Sequence, residues 1–236
     1  MRILQISQMN RAINYYRHWQ YGKHLLERGH SIAYAPEDAF APYGYKANSE
    51  DSFEWLLDNA HNFDAIWSTI PFEPQRAATL LGIREALYRV RGVDAPLILD
   101  IDDLLSEIPT YNIASKHLKK ASDRTKIALA ILREADAITT TCRFLAEKMA
   151  PINDRTFILP NCVEPPMWDH PRPLKNDGKV RVLWTGSSAR WGDIMMMKET
   201  LFWLHDKYHD KVKLILTGTC PEFAVPWVEQ GFAFVT

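Results

Sequence analysis

The sequence of 236 residues lacks the signals of several large classes of protein. It has only three cysteines and no CxxC pair, which argues against a disulfide framework or a zinc cluster. No apolar run approaches the roughly 18 residues of a membrane span, so we expect no transmembrane segment. Met1 leads directly into a strand-like segment, without the apolar region of a signal peptide. These absences predict a cytoplasmic protein with reduced thiols.

An excess of charge of either sign is also missing. Lysine and arginine number 28 and aspartate and glutamate 29, for a formal net charge of -1. A balanced chain has no general attraction to nucleic acid or to an anionic membrane, so we expect no nucleic-acid partner. There is no P-loop, no GxSxG elbow and no GxGxxG in the first βα loop. The last absence argues against a nicotinamide enzyme.

What the sequence does contain is a regular alternation of short apolar runs and longer segments of helical periodicity. The run at 97–99 is continuously apolar, which is typical of a strand covered on both faces. Strand–helix alternation then predicts an α/β fold with a parallel, doubly wound sheet. The predicted helices include Ile13–Arg28, Asp51–Ala60, Pro74–Arg91, Lys116–Glu134, Ile194–Tyr208 and Glu222–Gln230.

A change of composition divides the chain. Prolines, asparagines and an aspartate cluster after residue 160, which is a linker signal. We therefore predict a Rossmann-like domain over residues 1–160, a linker over 161–178 and a partial second Rossmann-like domain over 179–236. The last part is short for a doubly wound domain, which usually needs about 100–150 residues.

The string Asp100-Ile101-Asp102-Asp103 ends a predicted buried strand. Alternation puts Asp100 and Asp102 on one face, and clustered carboxylates raise one another's pKa unless cations or donors offset this. Three interpretations stay open: hydrogen bonding or general-base work on sugar hydroxyls, a Mg²⁺ site, or capping of the following helix.

The first βα loop leaves the carboxyl end of the first strand, where open α/β sheets bind ligands. It offers polar side chains and two aromatic rings, which belong either to a substrate loop with sugar stacking or to the core and a solvated helix. The residues concerned are Asn10, Arg11, Tyr15, Tyr16 and Arg17.

Small residues follow the first strand of the second part. Gly186, Ser187 and Ser188 come directly after the strand, and Arg190 stands close by. Close backbone approach at a glycine, hydroxyl groups and a helix N-terminus suit a phosphate group, and an arginine adds a charge-assisted contact. The alternative is a tight βα turn with Asp193 as helix cap.

Four strings in this order resemble one family. They are Tyr15-Tyr16-Arg17 followed by Leu25–Gly29, the Asp100–Leu104 strand end, Ala135–Thr141 followed by Leu159-Pro160-Asn161, and Val182–Ser187. Together they resemble bacterial and phage glycosyltransferases of the GT-B fold, from the retaining group that uses nucleotide-sugar donors.

This resemblance implies two Rossmann-like domains that face a cleft, with a glycan or other hydroxyl acceptor on the first and the nucleotide sugar on the second. It implies no metal and no further cofactor. Asp102 and Asp103 would be catalytic, and Asp100 would join the residues of the first loop in binding the acceptor. Asn161 would join the glycine turn on the donor side, although a simple turn residue is the alternative for it.

The family's paired glutamates and its C-terminal helix have no counterpart here, which predicts a C-terminally truncated enzyme. We expect little transfer unless a homodimer or a partner chain completes the second domain. The competing interpretation is a non-catalytic module that binds sugar or nucleotide.

Overall fold

The computed structural model describes residues 1–7, 14–36, 62–104, 107–108, 123–164, 177–187 and 190–235. It divides into two compact units, Met1–Ser106 with Lys120–Trp168 and Glu107–Lys119 with Asp169–Thr236. The predicted helix Asp51–Ala60 and most of the predicted linker lie outside the described residues. None of the described helices is both long and apolar enough to cross a membrane.

The described part of the first unit is built on a parallel sheet of six strands. They are β1 (Arg2–Ser7), β2 (Ser31–Pro36), β3 (Ala65–Thr69), β4 (Leu97–Ile101), β5 (Ala137–Thr140) and β6 (Thr156–Ile158). Their order across the sheet is β2-β1-β3-β4-β5-β6. The order reverses between β1 and β3, and open α/β sheets bind ligands at the carboxyl ends near such a reversal.

Helices connect these strands much as the periodicity predicts. A π-helical turn, Tyr15–Trp19, runs directly into α1 (Gln20–Glu27); α2 (Pro74–Arg91), α3 (Asp123–Glu134) and α4 (Arg143–Met149) follow. The predicted bounds of α2 are confirmed. Its proline stands in the first turn, where no amide hydrogen is needed, and Gly92 ends it with a φ of 66°.

One face of the first sheet is apolar. Leu4, Ile66, Leu99 and Ile138 are fully buried on it. Each such side chain stabilises the fold by about 1.5–3 kcal/mol. They pack in one cluster with side chains of α2 and α3, which include Leu80, Ile83, Leu87, Ala128, Ile131 and Leu132.

The other face of the sheet carries polar side chains towards its carboxyl edge. The strand register places Trp67 of β3, Asp100 of β4 and Thr139 of β5 on this face. The π-helical turn lies against it, because the His18 ring stacks on Trp67 with centroids 4.9 Å apart. Arg17 and His18 are fully buried there. A buried arginine requires buried partners, and these define the candidate site.

The second unit has a parallel sheet of its own. In its described residues, β7 (Val180–Thr185), β8 (Val212–Thr217) and β9 (Ala233–Val235) lie in sequence order, and α5 (Trp191–Met196), α6 (Lys198–Tyr208) and α7 (Val225–Glu229) accompany them. The unit has its own apolar cluster around Leu214, Leu216 and Trp227.

Two helices of the second unit differ from their predictions. The predicted single helix Ile194–Tyr208 was wrong, because the chain turns at Met197 and forms α5 and α6 separately. The predicted helix Glu222–Gln230 begins as a 3₁₀ turn at Glu222–Ala224 and becomes α-helical only at Val225. Pro226 stands in the first turn of α7, the helical position that tolerates proline best.

Two glycines bring the ends of β7 and β8 together. Gly218 has a φ of 92°, and a Cβ atom there would lie 2.6 Å from the carbonyl oxygen of Gly186. A Cβ atom on Gly186 would lie 2.7 Å from the indole of Trp184. The Gly186 amide donates to the carbonyl of Thr217 at 2.9 Å. Both positions therefore require glycine, for backbone conformation or for space.

We expect Gly218→Ala to destabilise the protein by about 2–3 kcal/mol, because it adds a steric overlap to the cost of a positive φ. The matched control is Gly231→Ala in the same unit, where φ is 75° but no atom lies within 4 Å of the added methyl group. That variant should lose only about 1 kcal/mol. Urea denaturation measures both values, and equal losses would contradict the close backbone approach.

Candidate functional site

Arg17 is the centre of a buried hydrogen-bond network in the first unit. Its Nε donates to Asp100 Oδ2 at 2.9 Å, and its Nη2 donates to Asp100 Oδ1 at 2.5 Å. Its Nη1 donates to the carbonyl oxygen of Leu159 and, at 3.2 Å, to Asn161 Oδ1. One guanidinium thus joins the start of the first helix to the end of β4 and to the segment after β6.

Asp100 is held as a buried carboxylate. Thr139 Oγ1 donates to its Oδ1 at 2.5 Å, in addition to the two bonds from Arg17. Burial raises the pKa of Asp100, but the surrounding donors outweigh burial and hold the pKa below its usual range. The His18 Nε2 atom lies 3.7 Å from Asp100 Oδ2, which is too far for a hydrogen bond, so we assign the lowering chiefly to Arg17.

Arg17 and Asp100 were both predicted to bind an acceptor. The structure buries both side chains completely or nearly so and pairs them with each other. We therefore expect them to position neighbouring groups rather than to contact a ligand directly.

Asp102 lies one residue beyond β4 and has the opposite electrostatic environment. It is partly buried, whereas Asp103 is exposed. Burial, followed by the charges of Asp103 and Asp100, raises the pKa of Asp102 to about 6. This carboxyl group exchanges its proton near neutral pH, a property suited to a general acid or base. Clustered carboxylates were predicted to raise one another's pKa. Such a rise is present at Asp102, whereas the donors around Asp100 outweigh it there.

The aromatic residues of the first loop pack together at the start of the helix. Tyr15 and Tyr16 are partly buried and meet edge to face, with ring centroids 5.2 Å apart. Trp19, which the sequence did not single out, stacks on Tyr15 at 5.5 Å and is 47% exposed. The predicted residues Asn10 and Arg11 lie outside the described residues.

The segment after β6 is attached along α1 by contacts that the sequence did not predict. Tyr21 donates its hydroxyl to the carbonyl of Pro160, and burial raises the pKa of Tyr21 to about 12, with a further contribution from Cys162. Lys23 forms an exposed salt bridge of 3.1 Å to Glu164. No local pattern marks these residues, because their partners lie about 140 positions away along the chain.

The Gln20 side chain adds to this attachment. With its amide oriented to satisfy both neighbours, it donates to the Cys162 carbonyl at 2.7 Å and accepts from the Glu164 amide at 3.3 Å. A cavity of about 310 Å³ opens between α1 and the segment, lined by residues that include Tyr21, His24 and Val163.

The glycine turn of the second unit is compact. The Arg190 amide donates to the Ser187 carbonyl at 2.9 Å. The Arg190 side chain is 67% exposed and lies 3.7 Å from Asp193. α5 begins at Trp191 with Arg190 at the N-cap position, so Asp193 belongs to the first turn and is not the cap. Ser188 lies outside the described residues.

Metal ligands do not gather in the described part of the chain. No group of three or more histidine, cysteine, aspartate or glutamate side chains is arranged there to hold a metal ion. The predicted absence of a metal or other cofactor stays a prediction.

Breaking the buried pair should destabilise the first unit strongly. Asp100→Asn leaves the Arg17 guanidinium buried without its counter-charge, and we expect a loss of about 3–5 kcal/mol in the free energy of unfolding. The control is Arg89→Gln, which removes an exposed pair with Glu85 on α2 and should cost at most about 0.5 kcal/mol. Urea denaturation followed by circular dichroism measures both.

The same pair predicts a dependence on pH. The folded pKa of Asp100 is lowered, so its contribution is present above the unfolded pKa of about 3.9 and is lost as pH falls through the folded value. The wild-type protein should therefore lose more stability than Asp100→Asn on acidification below about pH 4. Parallel losses in the two proteins would contradict the assignment.

Comparison with known proteins bears on the fold. No protein-family model and no curated protein matches the sequence. Among solved structures, an alpha-glucosyltransferase in complex with UDP-glucose and DNA containing an abasic site is 10% identical, with a TM-score of 0.56. An alpha-glucosyltransferase in complex with UDP and a 13-mer DNA containing a central A:G mismatch is 11% identical, with a TM-score of 0.53.

The two alignments cover 98% of this chain but only 60% and 59% of the solved chains. The chain thus spans about three fifths of the length of these structures. At such low identity the likeness concerns the fold and not the chemistry. The predicted fold class is confirmed: the chain has the Rossmann-like α/β fold of the GT-B glycosyltransferases.

Proposed function

We propose that this chain takes part in transferring a sugar from a nucleotide-sugar donor to an acceptor hydroxyl. The observation that carries the proposal is Asp102, a partly buried carboxyl group with a pKa raised to about 6 at the carboxyl end of a central strand. Such a group can accept the proton of an acceptor hydroxyl near neutral pH. The fold shared with alpha-glucosyltransferases that contain UDP or UDP-glucose supports the same reaction class.

The donor side of the proposal rests on the second unit. Gly186 and Ser187 place backbone and a hydroxyl at the carboxyl end of β7, and the exposed guanidinium of Arg190 is close in sequence. An arginine beside closely packed backbone suits a diphosphate. We propose that these residues, with Ser188, bind the diphosphate of a UDP sugar without a metal ion.

The acceptor side of the proposal rests on the first unit. Asp102 and Asp103 follow β4, and Tyr15, Tyr16 and Trp19 supply aromatic surface at the start of the first helix. Aromatic faces pack against the apolar faces of sugar rings, while carboxylates accept hydrogen bonds from hydroxyl groups. We propose a glycan or another hydroxylated acceptor at this edge, with Asn10 and Arg11 of the loop contributing.

We do not propose nucleic acid as a ligand of this chain, although DNA is present in the matched glucosyltransferase structures. DNA binding depends on cationic side chains that are free to neutralise phosphates. The arginines of α2 that pair with acidic residues include Arg84 with Asp94, Arg89 with Glu85 and Arg91 with Asp64. The net charge of -1 agrees with this. The absence of a nucleic-acid partner remains a prediction.

Titration calorimetry with UDP tests the donor side. We expect UDP to bind and Arg190→Gln to weaken it about tenfold, the effect of losing one charge-assisted hydrogen bond of about 1.5 kcal/mol. Arg181→Gln is the matched control, because it removes a partly exposed arginine from the amino-terminal part of β7 and should leave UDP affinity unchanged. No heat with UDP, or equal affinities of both variants, would contradict the proposal.

The acceptor side predicts an unusual pH dependence of stability. A folded pKa of about 6 for Asp102 means that its charge destabilises the fold above that pH, and the cost is relieved as pH falls from about 6 towards 4. Asp102→Asn should therefore be more stable than wild type by about 1–3 kcal/mol at pH 7.5, with the smaller figure reflecting partial exposure.

At pH 5 about half of this advantage of Asp102→Asn should be lost, because pH 5 lies midway between the folded pKa of about 6 and the unfolded pKa of about 3.9. Urea denaturation at the two pH values measures the difference. An advantage that does not change with pH would show that Asp102 has an ordinary carboxyl environment.

A further inference from the structure

The contact between Arg17 and Asn161 fixes the orientation of an exposed amide. A guanidinium has only hydrogen-bond donors, so the Asn161 atom that faces Arg17 Nη1 at 3.2 Å must be the side-chain oxygen. The other end of that amide is the NH₂ group, which is thereby directed away from Arg17. Asn161 is exposed, so its NH₂ group is available to donate hydrogen bonds to a ligand, while its oxygen already accepts one from Arg17.

The charges around this amide favour a neutral ligand. Asp100 already neutralises Arg17, since both its oxygens accept from the guanidinium. Asp102 and Asp103 follow Asp100 at the end of β4, and the charge of Arg17 lowers the pKa of Asp102 as well as that of Asp100. Among the described residues of this edge, a phosphate would meet the acidic side chains of Asp102 and Asp103 while Arg17 is already paired, which costs free energy.

We propose that Arg17 is a positioning residue that fixes the amide of Asn161, so that its NH₂ group and the carboxyl group of Asp102 together bind hydroxyl groups of a neutral sugar. A sugar hydroxyl both donates and accepts, and an amide donor beside a carboxyl acceptor satisfies both roles. The inference deepens the proposed function and rests on it for the sugar. It moves Asn161 from the donor side, where the sequence placed it, to acceptor recognition on the first unit.

The test observes the Asn161 side-chain amide directly. Its NH₂ signals in a ¹H–¹⁵N correlation spectrum are assigned by their loss in Asn161→Ala. The probes are a panel of neutral hexoses and, separately, inorganic phosphate. We expect at least one hexose to shift these signals in a saturable manner and phosphate to leave them unchanged. A shift with phosphate alone, or with neither probe, would overturn the proposal.

Asn161→Asp tests the role of the NH₂ group of Asn161 as a hydrogen-bond donor. It keeps an oxygen for Arg17 to bind but replaces the NH₂ group with a second oxygen, so hexose affinity should fall at least about tenfold without a loss of thermal stability. Asn161→Ala, which adds no charge, should weaken binding as well. Backbone signals of the first loop report the binding in these variants. Unchanged affinity in Asn161→Asp would overturn the proposal.

Asn153→Asp is the matched control. The Asn153 amide donates to the carbonyls of Leu132 and Ala135 before β6 begins, so this variant should lose stability while its folded fraction binds hexose like the wild type. The UDP titration separates the inference from the proposed function. UDP binding without hexose binding would contradict this inference alone. Hexose binding without UDP binding would contradict the donor side of the proposed function.

Discussion

The fully buried ion pair between Arg17 and Asp100 is the interaction on which the first unit's carboxyl edge depends. Burying a charge is costly unless it is paired and its hydrogen-bonding groups are satisfied. The fork of Arg17 meets both oxygens of Asp100, and its remaining nitrogen reaches the segment after β6. Loss of either partner would leave the other as an unpaired buried charge. The pair therefore fixes the first helix, β4 and that segment relative to one another.

Because of this constraint, the pKa values of Asp100 and Asp102 shift in opposite directions, although the two residues are only two positions apart. Asp100 accepts three hydrogen bonds and stays ionised, while Asp102 lacks that support and keeps its proton up to about pH 6. The same arginine orients Asn161, so one buried group determines the chemistry of two more accessible ones. In the second unit the constraint is steric instead. A side chain at Gly218 would overlap the backbone of Gly186, and a side chain at Gly186 would overlap the indole of Trp184.

Much of the fold follows from local sequence, and much of the site does not. The apolar run Leu97–Leu99 predicted a buried strand, and proline at position 74 with glycine at 92 predicted the bounds of α2. These signals are local, because the hydrophobic periodicity of a segment and the residues at its two ends determine where a helix or strand forms. The partner of Asp100 lies 83 positions away, so spacing could not pair it with Arg17, and the family resemblance assigned both residues to an acceptor. Attachment of the segment after β6 through Tyr21 was missed for the same reason, and the break at Met197 has no glycine or proline to mark it.

The most direct test of this account is a carboxyl ¹³C NMR titration of Asp100 and Asp102 in the wild-type protein, with signals assigned through the two asparagine variants. We expect Asp102 to titrate with a midpoint near pH 6 and Asp100 to remain ionised to a pH below the usual aspartate range. Ordinary midpoints for both carboxyl groups, near the reference value of about 3.9, would contradict it.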